Sequence, residues 1–303
     1  MEKRTHKLTI LLAVIALMAC TQNVDLEQPA YQEQIVVDGY IETGQPARIY
    51  LTMSSPYLTH YDSASIRESF LNYAKITLTS SRGEEEILTL FREEGFFPPF
   101  VYKSLSVKGE TGVRYDIKVE VKGKVIEAST TIPPPPDIAD TRLLPATDSS
   151  GYVEYAVDPA SEEMYLFTRV ASRLAGEKLH PSYDPVAVVD PDAESPHWQR
   201  LLRSREHGLY LIDTSSDVYE GWPRFHYSLH DTVEIAVGTV DSVSYNVIRS
   251  LFYDRSNHEN PFAFRQEDIR SNIEGGLGRW TGIGITDTYE VRGQSKASEG
   301  SSE

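Results

Sequence analysis

From Val113 to Lys122 two kinds of residue alternate: Val113, Tyr115, Ile117, Val119 and Val121 on one side, Arg114, Asp116, Lys118, Glu120 and Lys122 on the other. A period of two belongs to a β-strand, because successive side chains of an extended chain point to opposite faces. The wholly charged face must meet solvent while the other covers a core. Lys122-Gly123 then turns the chain into Lys124–Ile132, which predicts a hairpin with Gly123 at positive φ.

The same period marks Ala47, Ile49, Leu51 and Met53. Further strands are predicted at Ile35–Ile41, Lys75–Ser80 and Glu86–Phe91, the last two joined by a turn at Ser81-Arg82-Gly83. About seven short strands in about 100 residues suggest a sandwich, immunoglobulin-like or prealbumin-like, over residues 34–132. Pro133-Pro134-Pro135-Pro136 stops the pattern, since proline donates no ladder hydrogen bond, and residues 133–136 read as a stiff linker.

A second β-rich domain is expected over residues 137–291, with strands at Tyr152–Val157, Met164–Ser172, Leu209–Asp213, Thr232–Val240 and a glycine-rich terminal segment, Gly278–Val291. One helix interrupts it: Asp241 can cap Ser242–Tyr253, and Tyr245, Ile248, Leu251 and Phe252 recur at helical spacing. Residues 176–225 look irregular, and the small, polar tail over residues 292–303 is expected to be disordered. The expected fold class is therefore all-β, mainly antiparallel, with two sandwich-like domains and one helix in the C-terminal one.

Lys3, Arg4 and Lys7 precede an apolar run from Leu8 to Ala19, too short to span a bilayer and patterned as a secretory signal over residues 1–19. Leu17-Met18-Ala19-Cys20 follows, and resembles the lipobox of bacterial lipoproteins, whose cysteine accepts the lipid. Cys20 is the single cysteine of 303 residues, so no intrachain disulfide is available to an exported chain, and lipidation would remove an otherwise reactive thiol. Residues 20–33 would then be a tether from the membrane. The formal charge of −16 argues against nucleic acid as a partner, which calls for a clustered basic face.

No Gly-x-Ser-x-Gly elbow, His-Glu-x-x-His pair or phosphate loop occurs, and the lone cysteine leaves no thiolate site in the folded part. No catalytic, metal or cofactor residues are assigned. His226 and His230 lack a third ligand, and Asp190, Asp192 and Glu194 lack the glycine and distal glutamate of a calcium loop. Gly275, Gly276, Gly278, Gly282 and Gly284 precede a strand-like segment rather than a strand-turn-helix unit, so they suit close backbone packing rather than a dinucleotide.

Residues 176–225 carry Trp198, Tyr219 and Trp222 among prolines and charges. Aromatic-rich loops on a sandwich either bind partners or cover the core beneath them. Trp198, Tyr219 and Trp222 are the candidate partner-binding residues.

The lipobox, Val36-Val37-Asp38-Gly39-Tyr40-Ile41-Glu42, Leu51-Thr52-Met53-Ser54-Ser55-Pro56-Tyr57, Thr131-Ile132-Pro133-Pro134, Asn260-Pro261-Phe262 and Ser271-Asn272-Ile273-Glu274-Gly275-Gly276-Leu277-Gly278 occur in an order that resembles the Bacteroidota lipoproteins collected as domain-of-unknown-function family 4249. Tyr40 stands where that family often has tryptophan. The resemblance implies an envelope lipoprotein, commonly encoded beside TonB-dependent outer-membrane transporters, with no catalytic residues to carry over. The expected function is a non-catalytic outer-membrane lipoprotein, periplasmic-facing or surface-exposed, that assists a β-barrel transporter or captures its ligand. A structural or adhesive envelope protein is the alternative, and a carboxylate-dependent hydrolase is a third.

Overall fold

The computed structural model describes residues 32–54, 69–93, 99–201, 226–257 and 270–293. The signal segment, Cys20, most of the tether, the strand expected at Leu209–Asp213, Tyr219, Trp222, Asn260-Pro261-Phe262 and the tail beyond Gly293 lie outside the described residues.

The first sandwich contains the strands that the alternation predicts, together with one at Phe100–Lys108 that it did not. Strands β1 (Ile35–Glu42), β2 (Pro46–Met53), β5 (Thr89–Arg92) and β6 (Phe100–Lys108) form one sheet, and β3 (Lys75–Ser80), β4 (Glu85–Ile87), β7 (Arg114–Val121) and β8 (Lys124–Thr131) form the other. Ile35, Val37, Ile41, Ile49 and Leu51 from one sheet meet Ile76, Leu78, Tyr115, Ile117, Val119 and Ile126 from the other in a common core. The β7–β8 hairpin turns on Lys122 and Gly123, at φ 50° and 71°, the two positive values that a tight turn matching strand twist requires. The single strand expected over Glu86–Phe91 is two: β4 pairs with β3, and β5 pairs with β6 in the opposite sheet. The chain changes sheets at Leu88, which is buried between them.

The second sandwich packs β11 (Met164–Ser172), β12 (His180–Val189), β15 (Thr232–Val240) and β17 (Tyr289–Arg292) against β9 (Ile138–Pro145), β10 (Ser150–Val157), β13 (His197–Leu201) and β14 (Tyr227–Ser228). Its core holds Leu143, Val153, Tyr155, Val157, Leu166, Val170, Val233, Ile235 and Val237. The helix α1 (Ser242–Asn257) begins where expected: Asp241 accepts the Ser244 backbone N–H on Oδ1 at 2.6 Å, and the helix runs four residues past Tyr253. Ile248 of α1 clusters with Phe167, Val240 and Ile283, and Tyr245 meets Tyr165 with ring centroids 5.0 Å apart. No helix among the described residues is long and apolar enough to cross a membrane.

Two expectations are corrected. Residues 180–189 and 197–201, placed in the irregular loop, are strands β12 and β13. Pro181 and Pro185 obscure β12 in the sequence, but it is the outermost strand of its sheet, where a missing N–H costs no ladder bond on the solvent side. The boundary at Pro133–Pro136 does not separate the strands, because β16 (Leu277–Ile285) pairs in parallel with β1 from Val36↔Leu277 to Glu42↔Ile283. The described residues from Gln34 onward form one contact unit.

Strand β16 carries Trp280 into the first core, where it is fully buried. Gly39 on β1 leaves it room, since a Cβ there would lie 2.8 Å from the indole. Arg279 of β16 pairs with Asp38 of β1 at 2.6 Å on the opposite face. Two hydrogen-bonded pairings, Gly238↔Ile285 and Thr239↔Gly284, link β16 to β15 and join the main sheets of both sandwiches into one of nine strands. The glycines of this segment do allow close packing: a Cβ on Gly284 would lie 2.0 Å from the Pro133 carbonyl oxygen.

Candidate functional site

Strands β9, β10, β13 and β14 turn one face to the core and the other outward. The inward residues of β10 are Val153, Tyr155 and Val157, so Tyr152, Glu154 and Ala156 point away from the core. Strand register sets Arg142 of β9 and Arg200 of β13 on either side of Glu154. Arg142 donates Nε–H and Nη2–H to Glu154 Oε2 at 3.1 and 2.7 Å. Arg200 donates the corresponding pair to Oε1 at 3.2 and 3.1 Å. The Glu154 side chain keeps 9% of its exposure, against 40% and 52% for the two arginines, so the carboxylate is the covered centre of an exposed clamp.

Each guanidinium also stacks on an aromatic ring. Arg142 Cζ lies 3.5 Å from the Trp198 ring centroid, and Arg200 Cζ lies 3.6 Å from that of Tyr152. Register puts Ala156 opposite Trp198, one row from Arg142, and Ala156 is fully buried although it points outward. A small side chain at that position lets the arginine and the indole lie across β10. Tyr152 in turn meets the edge of His226 at 5.9 Å between centroids, and His226 Nδ1 is 3.5 Å from Ser150 Oγ. Burial, and then the Arg200 charge, hold the His226 imidazole below its ordinary pKa, favouring the neutral ring.

The result is a continuous array of Trp198, Arg142, Glu154, Arg200, Tyr152 and His226 on a sheet face. Its cations are fixed by hydrogen bonds and stacking before anything binds. Trp198 is thus the expected partner-binding residue that the structure sets in a defined environment. Arg142, Glu154, Arg200 and Tyr152 escaped the sequence reading. Their signal was faint: outward polar positions alternate with core positions on β10, but nothing local says that β9 and β13 flank it.

The other sequence candidates do not gather into a site. His230 lies in the turn after β14, and Asp190, Asp192 and Glu194 are exposed in the turn after β12. Among the described residues no group of three or more His, Cys, Asp or Glu side chains could hold a metal ion. A separate groove of about 560 Å³ lies over the charged face of β3, β7 and β8, lined by Thr77, Thr79, Asp116, Lys118, Glu127 and Asn272 among others. It contains hydroxyls, an amide and both charge signs, with no aromatic ring in its lining.

The L-ornithine N(5)-monooxygenase of Schizosaccharomyces pombe is 32% identical to this chain over 85 residues, 26% of this chain and 20% of that enzyme. The chain therefore spans about a fifth of the length of that curated relative. A crystal structure of a DUF4785 family protein from Legionella pneumophila aligns with 68% of this chain and 52% of its own, at 12% identity and a TM-score of 0.22. Neither likeness bears on the chemistry of the stacked face. The family described as a domain of unknown function (DUF4249) matches residues 21–288, and this chain belongs to it.

Proposed function

We propose that this protein is a non-catalytic outer-membrane lipoprotein, held by acyl chains on Cys20, that serves a TonB-dependent transporter as an accessory or ligand-capture partner. It meets its protein partner through the outer face of β9, β10, β13 and β14. The observation carrying this reading is the pair of aromatic-stacked arginines locked on Glu154. Tryptophan, tyrosine and arginine dominate interface hot spots, and side chains already fixed in place lose little entropy on docking. An open sheet face also suits a protein surface better than a small ligand, which needs a concavity.

The test is purification of the full chain from its native membranes with and without Trp198→Ala. A stoichiometric β-barrel partner retained by the wild type and weakened by about 2 kcal/mol or more in the variant supports the reading. Equal retention by a folded variant sinks it. The polar groove on β3, β7 and β8 favours a second reading, an adhesive envelope protein that holds a hydroxyl-rich ligand there, which glycan binding by the isolated chain would support.

A further inference from the structure

We infer that the Arg142–Glu154–Arg200 row is a carboxylate-recognition surface, and that what docks on it is an acidic polypeptide segment; this rests on the docking reading above. A guanidinium carries five N–H donors in a planar fork. Each of these two spends Nε–H and one Nη2–H on Glu154, so the Nη1 groups and the second Nη2 hydrogens have no protein acceptor among the described residues. Two cations share one carboxylate, giving the row a net charge of +1 in a chain of −16. Asp140 lies one row away, opposite Ala156, and its Oδ1 accepts the Thr141 backbone N–H at 2.8 Å.

Arginine forks pair bidentately with carboxylates, and stacking on Trp198 and Tyr152 holds both forks at fixed positions on the sheet. A partner that presents acidic side chains at matching spacing gains charge-assisted bonds without freezing the arginines anew. Aromatic side chains on the same segment would extend the stacks already formed by Trp198 and Tyr152. A single small anion would use the charge of the row but not its aromatic faces. The net charge of −16 opposes the approach of such a segment, and the two arginines offset that repulsion at this row.

The experiment measures binding of the full chain to a random glutamate–tyrosine copolymer, with polylysine and polygalacturonate as the other probes, by biolayer interferometry. Wild type is expected to bind the copolymer; polylysine, which the acidic remainder of the chain attracts, should bind wild type and the arginine variants alike. Arg142→Lys with Arg200→Lys keeps the charge but loses the forks and flat stacks, and should weaken that binding about 10-fold or more in a variant that remains folded at the assay temperature. Should that pair of changes unfold the protein, Trp198→Phe, which shortens one stack, is the second variant and should weaken binding less. No copolymer binding by wild type, or binding untouched by folded variants, overturns the inference. Binding of polygalacturonate alone overturns it in favour of an acidic glycan. If Trp198→Ala loses the native membrane partner while the lysine variants keep it, the docking reading stands and the carboxylate inference falls.

Discussion

Trp280 on β16 donates its indole Nε1–H to the backbone carbonyl of Tyr115 on β7, at 3.0 Å, inside the first core. The bond ties a residue near the end of the described chain to the strand with the clearest alternation. Truncating a buried tryptophan removes a large apolar area and leaves a cavity, so Trp280→Ala should lower stability by about 3–5 kcal/mol. Trp280→Phe keeps most of the ring and loses the donor, and should cost less. Urea unfolding of both variants measures the difference, and an Ala variant as stable as wild type would show that β16 is dispensable to the core.

Gly284 allows β16 to pass against the backbone of Pro133. An alanine Cβ would sit 2.0 Å from that carbonyl oxygen, and backbone cannot move aside as a flexible side chain does. Gly284→Ala should therefore destabilise by roughly 1–3 kcal/mol or more, visible as a lower thermal midpoint. An unchanged midpoint would mean that the crossing of β16 over the proline segment is looser than described.

Glu154→Gln retains the shape of the clamp but removes its charge. Both arginines are about half exposed, so water takes up much of the loss, and a cost of about 1–2 kcal/mol is expected, below that of breaking a fully buried pair. The near-ultraviolet circular dichroism of the variant should also change, because Arg142 no longer holds its place over Trp198. A variant with wild-type stability and spectrum would show that Glu154 does not organise the row.

Tyr50 provides a pH signature. Burial pushes its phenol up to about 12, opposing the Arg48 hydrogen bond that favours the ionised form. Unfolded tyrosine ionises near pH 10, so above that pH the unfolded chain has released a proton that the folded chain keeps. This contribution is fully present below about pH 10 and is lost as pH rises through about 12, with a limiting slope of about 1.4 kcal/mol per pH unit from this group. Denaturant titrations from pH 9 to 12 should give a shallower fall in stability for Tyr50→Phe than for wild type. Superimposable curves would rule out Tyr50 as a contributor.

Cys20→Ser should abolish lipid labelling and either release the protein into the soluble fraction or leave its signal uncleaved. Metabolic labelling with a tagged fatty acid reads this directly. Labelling that survives the substitution would remove the anchor from the proposed function.

What was legible in the sequence follows from how locally each element is determined. The β7–β8 hairpin, the strands at Lys75–Ser80, Met164–Ser172 and Thr232–Val240, and the Asp241 cap all rest on neighbours a few residues apart, so periodicity and turn chemistry suffice to find them. Strand β12 was hidden by Pro181 and Pro185, whose tolerance depends on being at a sheet edge, a property of the assembled sheet. The pairing of β1 with β16 joins residues some 240 positions apart, and no local pattern specifies it. The candidate face divides in the same way. Trp198 was visible as an aromatic in a charged context, whereas its stack on Arg142 requires three strands to be brought side by side.

The place of β16 has a consequence for how the chain is made. The strands of the first sandwich emerge early, yet Ile273 and Trp280 complete their core only after every strand of the second sandwich except β17 has been made. Folding by completed halves in order of synthesis, the usual course for a chain of several domains, is closed to this one. The early strands must wait with an open edge on β1 and an unfilled space over Gly39, exposed to mispairing, until the last segment arrives. A chain truncated before residue 270 should accordingly be an aggregation-prone species rather than a smaller folded protein.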